Sequence, residues 1–331
     1  MNILSCAAFL LLLFVCLSRA CLYNKEESSP VTHWHYGQGA SGVTPYYWWK
    51  VNENCGHGSH EDAQSPVDIT HTEFNSQMKS LKLSYPDEVT GIASNNGHTV
   101  NFLADDFTTH VLRDGPLGNG EYAFYGFHIH WGESEVGNQS LGSEHSIDGL
   151  KQSAEIHFVH ANTKYNISDI SNHADGIAVI GVLLEVDNDG NDNYDQIFDI
   201  SAQLPLPSSD PIAFEIDVES LLPNNLEYYH YSGSLTAPGC NSAVKWIVLR
   251  DSVKITPQQL SVLFSLSFEE EEENGESLIL PIGPNNRPIQ SVNDRVIYRN
   301  FNVAEDNYDN SSSGFLSPLL VFVVAFLSMF I

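Results

Sequence analysis

Read for the spacing of apolar and polar positions, the chain is dominated by strand-like runs between residues 30 and 302. Residues 80–85, 99–104, 123–131, 154–160, 244–250 and 295–301 are rich in β-branched and aromatic side chains, with turn residues between the runs. Ile177–Val186, IAVIGVLLEV, is almost wholly apolar, the pattern of a central strand covered on both faces. Helix signals are fewer. Thr256, followed by Pro257 and Gln259, reads as an N-cap with its capping-box partner and predicts a helix through Leu260, Leu263 and Phe264. Residues 194–204 give a second, short amphipathic candidate. No internal repeat and no long Gly/Ser- or Pro-rich linker divides residues 30–302, so the pattern predicts one β-rich domain.

Both ends break this pattern. Residues 1–20 hold an apolar core from Ala7 to Leu17 and close on Ser18-Arg19-Ala20, small residues at the places a signal peptidase reads. That core is too short to span a bilayer, so a secretory signal is expected, although the usual basic n-region is missing. Residues 315–331 carry no charge and follow small residues between Asn310 and Gly314. A spanning helix wants about 20 apolar residues and a basic stop. The tail therefore fits a glycosylphosphatidylinositol-anchor signal better, with a short transmembrane helix as the alternative. The expected organisation is a signal peptide at 1–20, a folded domain at 21–302, a polar stalk at 303–314 and a hydrophobic anchor signal at 315–331. It places the domain on the extracellular face of the plasma membrane, tethered by lipid.

Charge narrows the partners. With 14 Lys+Arg against 42 Asp+Glu the formal net charge is −28. Such a surface repels phosphate, which excludes nucleic acid and argues against docking on anionic lipid through a basic patch. The apolar fraction of 42% is a globular value, so the acidity is not that of a disordered chain. Acidic runs at 187–195 and 269–273 read as solvated loops, with weak calcium binding at a mineral surface as the sharper alternative. Cys6 and Cys16 would leave with the signal; of Cys21, Cys55 and Cys240, an oxidising compartment would pair two. Sequons at Asn138, Asn166 and Asn310 permit glycosylation.

The chemistry sits on two strands. In AFYGFHIHWG, His128 and His130 share one face while Phe127, Ile129 and Trp131 take the other. One buried histidine is ordinarily a hydrogen-bonded core residue; two at i and i+2 among apolar neighbours are not explained that way. SAEIHFVHAN puts Glu155, His157 and Val159 on one face. If the two strands are neighbours, His157 completes a three-nitrogen site, which suits zinc and leaves a fourth tetrahedral position for water. Spacing alone leaves other β-rich metal proteins open, cupins among them.

Longer motifs add a resemblance. FHIHWG, SEHSIDG from Ser143, AEIHFVH from Ala154 and GSLTAPGC from Gly233 stand in the order seen in α-class carbonic anhydrases. QSPVDI at Gln64, NNGHTVNF at Asn95, DGIAVIGV at Asp175, VKWIVL at Val244 and NNRPIQ at Asn285 follow the same pattern. The resemblance covers roughly residues 30–302 and is to the extracellular, membrane-anchored type. It implies a mainly β (α+β) single domain around a large, mostly antiparallel, twisted sheet with short peripheral helices. It also implies reversible hydration of carbon dioxide to bicarbonate by a zinc-bound hydroxide. Acidification of the bound water to a pKa of about 7 is the standard property of this family itself, taken over here as such.

By the same resemblance the zinc ligands are His128, His130 and His157. Thr236 matches the hydroxyl that accepts the hydrogen bond of the hydroxide, and Glu144 the carboxylate that accepts the Thr236 proton. Val159, Val179, Leu235 and Trp246 match the apolar pocket for carbon dioxide. His98 matches the proton shuttle, imidazole being the side chain whose charge changes nearest neutral pH. Tyr36, Asn96 and Asn101 match the polar side that orders bridging waters. Glu155 should orient His157, and the backbone of Asn285 should orient His130. Cys55 and Cys240 match the disulfide of extracellular members. There are departures. Gly126 stands where most members have a glutamine bonded to the first zinc histidine. Ala237 replaces a hydroxyl residue, and the stretch between His130 and His145, which includes Asn138, is a few residues longer. The rival reading, a catalytically silent binding ectodomain, is disfavoured because all three histidines are present.

Overall fold

Eight strands carry the architecture: β1 (Val89–Asn95), β2 (Val100–Ala104), β3 (Glu121–Trp131), β4 (Ala154–Asn162), β5 (Ile177–Val186), β6 (Ile212–Ile216), β7 (Tyr228–Gly233) and β8 (Val244–Leu249). They come from a computed structural model that describes residues 34–37, 42–56, 62–133, 141–271 and 277–302. The expected signal, stalk and anchor segments, Cys21, Asn138 and Asn310 lie outside the described residues. The packed unit ends at Phe301. No helix among the described residues is long and apolar enough to cross a membrane.

The lateral order is β6-β1-β2-β3-β4-β5-β8-β7, continued at the β7 edge by Tyr298–Arg299 and Glu73–Phe74. Pairing is mostly antiparallel, as expected. Parallel pairs join β5 to β8, β5 to Val253–Ile255, and Tyr298–Arg299 to Glu73–Phe74. The apolar run of β5 now has its reason: it is central, buried from Ile177 to Leu184, and parallel to β8.

Alternation sorts the side chains of these strands between two layers. Phe127, Ile129, Trp131, Ile156, Phe158, Ile180 and Val182 enter the main core. Helix α1 (Asp195–Ala202) and helix α2 (Pro257–Phe264) close that face through Ile197, Phe198, Leu260 and Leu263. The predicted capping box opens α2: Thr256 Oγ1 accepts from Gln259 N at 3.1 Å, and Gln259 Oε1 accepts from Thr256 N at 2.7 Å. On the opposite face the β3–β4 register sets His128 against His157 and His130 against Glu155. The β4–β5 register sets Gly181 against His157 and Val179 against Val159.

Two expectations are corrected. The acidic run at 269–273 is not simply a solvated loop. Ser267–Glu271 is a strand paired with Ser277–Pro281, and residues 272–273 lie outside the described residues. Its alternation buries Phe268 and Glu270 while Glu269 faces solvent, so composition hid a period-2 signal. The run at 295–301 contracts to Tyr298–Arg299. There the Arg295 guanidinium donates to the carbonyls of Gln64, Ser232 and Ser291, and its backbone closes a turn onto Val292. In the other acidic run Asn188 and Asp189 are exposed, but Asp192–Tyr194 winds a 3-10 turn that buries Tyr194, and Asp195 opens α1.

Candidate metal centre

Strand pairing brings His128, His130 and His157 together. Their ring centroids are 5.0, 5.3 and 4.6 Å apart, and one nitrogen from each lies within 4.8 Å of the others. The hydrogen bonds say which nitrogens are spare. His130 Nδ1 donates to the Asn285 carbonyl at 2.8 Å, which leaves a buried Nε2 with no partner. His157 Nε2 donates to Glu155 Oε1 at 2.8 Å, which leaves its Nδ1. An orphaned buried acceptor costs about 1–3 kcal/mol unless a ligand takes it up. Burial, reinforced by the neighbouring imidazoles, pushes His128 well below its ordinary pKa. Burial likewise lowers His157, and it lowers His130 to about 4. Three neutral rings with converging lone pairs fit zinc.

Behind His157 lies a hydrogen-bonded carboxylate. Glu155 accepts from His157 Nε2, from His145 Nδ1 at 2.7 Å and from the His145 backbone at 2.7 Å. The Tyr231 hydroxyl lies 2.7 Å from His145 Nε2 and 2.9 Å from Ser65 Oγ. Burial alone would raise Glu155, but the charge and hydrogen bond of His145, with those of His157, hold it well below the usual carboxylate range. His145, Glu155 and His157 also satisfy a distance criterion for a metal. Their facing atoms are already consumed by hydrogen bonds, so this group orients His157. Sequence reasoning missed His145, although it sits beside Glu144 in SEHSIDG.

The three histidines lie in a cleft. Val159, Val179, Leu235 and Trp246 make its apolar wall and Tyr36, Asn96 and His98 its polar side, as expected. Asn101 is buried on β2 directly opposite His128, so its side chain shares the face of the sheet that carries the three histidines. Trp34, overlooked in the sequence, stacks on His98 with centroids 3.7 Å apart and planes at 12°. Asn96 does more than face water. Its Oδ1 accepts from the backbones of His98 and Thr99 at 2.9 Å and fixes the turn that carries His98.

Thr236 and Glu144 meet beside the ligands. Glu144 is fully buried; its Oε1 accepts from Arg287 N at 3.0 Å and lies 3.5 Å from His130 Nδ1. Burial raises its pKa, opposed by His157 and by the Thr236 hydroxyl. Glu144 Oε2 makes no other hydrogen bond, which leaves it open to the Thr236 hydroxyl beside it. Gly126 also has its reason. A Cβ there would sit 2.4 Å from the Phe102 carbonyl of β2, so no side chain fits at that position. The Cys55–Cys240 disulfide forms as expected, and Asn166 stands exposed in a turn.

A family model described as eukaryotic-type carbonic anhydrase matches residues 43–301, which include all three ligand candidates and the apolar wall. Carbonic anhydrase 1 of Oryctolagus cuniculus is 36% identical over 242 residues, covering 72% of this chain and 99% of that protein. Carbonic anhydrase 1 of Mus musculus is 35% identical over 243 residues, covering 72% of this chain and 89% of that protein. The chain belongs to the eukaryotic-type carbonic anhydrases, carbonate dehydratases of the lyase class.

Proposed function

We propose that this protein hydrates carbon dioxide reversibly to bicarbonate and a proton, with zinc held by His128, His130 and His157, at the extracellular surface of a membrane. The observation that carries this reading is the set of converging imidazole nitrogens, that of His130 a buried acceptor with no partner, beside an apolar wall. When bound, zinc supplies the positive charge that makes water a nucleophile near neutral pH, the family's standard chemistry.

The chain's own residues do the rest. Val159, Val179, Leu235 and Trp246 receive a substrate with no charge to grip and keep bulk water from it. Thr236 offers a hydroxyl beside the ligands, and Glu144 is the acceptor towards which that hydroxyl turns its proton. Glu155 and the Asn285 carbonyl hold two of the three rings in the required tautomers. His98, on the polar side, passes the product proton to buffer.

Stopped-flow hydration and zinc content, determined on one purified sample, test this. Replacing His128, His130 or His157 by Ala is expected to abolish both zinc retention and hydration. Undiminished hydration in any one variant overturns the ligand set, and a wild-type protein that holds zinc without hydrating is a silent ectodomain.

Export is supported by the apolar segment at 1–20 and, independently, by the disulfide, which persists in oxidising compartments. The exposed sequon at Asn166 is then open to glycosylation. Phosphatidylinositol-specific phospholipase is expected to release the protein from cells; retention would favour a transmembrane tail.

A further inference from the structure

Arg287 has no part in the scheme above, yet it is 1% exposed beside the relay residues. We propose that Arg287 is a positioning residue for the hydration step, one that fixes both ends of the loop carrying Thr236 together with the Glu144 carboxylate. The inference rests on the roles given to Thr236 and Glu144 in the preceding reading.

The fork of its guanidinium spans two anchors. Nη1 donates to the Ser65 carbonyl at 2.8 Å and Nη2 to the Cys55 carbonyl at 3.4 Å, with the cation 5.5 Å over the Trp48 ring. Ser65 pins the front of the loop: its N–H donates to Ser234 Oγ at 3.0 Å, and its Oγ accepts from Ser234 N at 3.1 Å. Cys55 pins the back through its disulfide to Cys240. That end needs holding, because Gly239 and Cys240 have φ of 113° and 41°, a region sparsely populated for a non-glycine residue such as Cys240. The backbone N–H of Arg287 is the donor at 3.0 Å to Glu144 Oε1. One residue thus reaches Ser234, Cys240 and Glu144 through one shell of contacts.

A packing role does not account for it. Its Nε has no partner, and burial lowers its pKa to about 10, so the site keeps an imperfectly paired cation. An apolar side chain of similar volume would fill the space without that desolvation. A lysine has the charge but no planar fork, and cannot serve both carbonyls in the same way.

Because Thr236 serves the attack on carbon dioxide and His98 serves proton export, the two steps separate in the measurement. Arg287→Lys and Arg287→Met are made in the full chain, with zinc content, thermal midpoint, kcat/KM for hydration and buffer-limited kcat all determined. Full zinc content with kcat/KM reduced about tenfold or more, the Met variant below the Lys variant, and buffer-limited kcat unchanged is the expected result. A kcat/KM within twofold of wild type in both variants overturns the proposal. So does a parallel fall of zinc content and both constants, the mark of a merely structural residue. Should the Met variant not fold, the Lys variant is combined with Cys55→Ser/Cys240→Ser. Its effect should shrink in that background, and strict additivity overturns the link through Cys55. Failure of the wild type to hydrate would strike the functional reading itself and is seen before any variant is compared.

Discussion

His98 differs from the three ligand candidates by its surroundings. It lies on the polar side of the cleft, half-buried, with its ring flat against Trp34 at 3.7 Å and its backbone held by Asn96. His130 and His157, by contrast, sit on the sheet face and spend one nitrogen each on protein acceptors. His98→Ala is therefore expected to slow turnover in dilute buffer by about tenfold or more, with kcat/KM little changed. Added imidazole should restore part of the loss, since a diffusible base can enter the same cleft. A turnover in weak buffer equal to wild type would mean that protons leave by another route.

The strands position the rings, and Gly181 on β5 shows how closely. It stands opposite His157, and a Cβ there would lie 2.9 Å from Glu155 Oε1. That oxygen is shared by His145 and His157, so the carboxylate has no free direction in which to withdraw. Gly181→Ala should weaken zinc retention by about 10–100-fold while the fold persists, read by competition with a chelator. Retention equal to wild type would show that Glu155 does not set the His157 ring. What could be read in advance follows from side-chain periods. β4 and β5 declare themselves because alternation or unbroken apolar sequence runs along them, and β3 does so from Gly126 to Trp131, beyond the register shift between Phe124 and Gly126. Strand β7 does not: its YYHYSG is buried through Tyr228 and Tyr231, whose hydroxyls find Lys79 and Ser65 partners that no local pattern announces. The ligand trio was legible as two segments, and family resemblance joined them. The His145–Glu155 bond was not, because it joins a non-strand loop to β4 with no periodic signal, nor was the reach of Arg287, whose partners lie far away in sequence.

For the whole molecule, acid stability follows from a histidine on the side of the sheet away from the metal centre. His160 on β4 is fully buried, its Nδ1 donates to the Phe158 carbonyl at 3.0 Å, and its Nε2 faces the Tyr85 hydroxyl. Burial lowers its pKa to about 4, whereas the unfolded chain should protonate near its ordinary value of 6.5. Between those values the unfolded state binds more protons, so by linkage stability rises with pH. The contribution is complete above about pH 6.5, drains away as the pH falls towards 4, and changes no further below that. A separation of this size amounts to about 3 kcal/mol. Glu155 acts over a different range: held well below the carboxylate norm, it withholds its proton until strongly acid pH. The high net negative charge of the chain works against a large acid effect from repulsion, because protonating carboxylates relieves it. Urea unfolding of wild type and His160→Gln at pH 7, 5.5 and 4.5 separates these terms. His160 should account for about 2–3 kcal/mol of the wild type's loss across that range, the other buried histidines adding to it, and the variant should show a flatter dependence by about that amount whatever its stability at pH 7. Equal slopes would mean that His160 takes up its proton in the folded state as readily as in the unfolded one, which a ring sealed between a carbonyl and a tyrosine hydroxyl should not do.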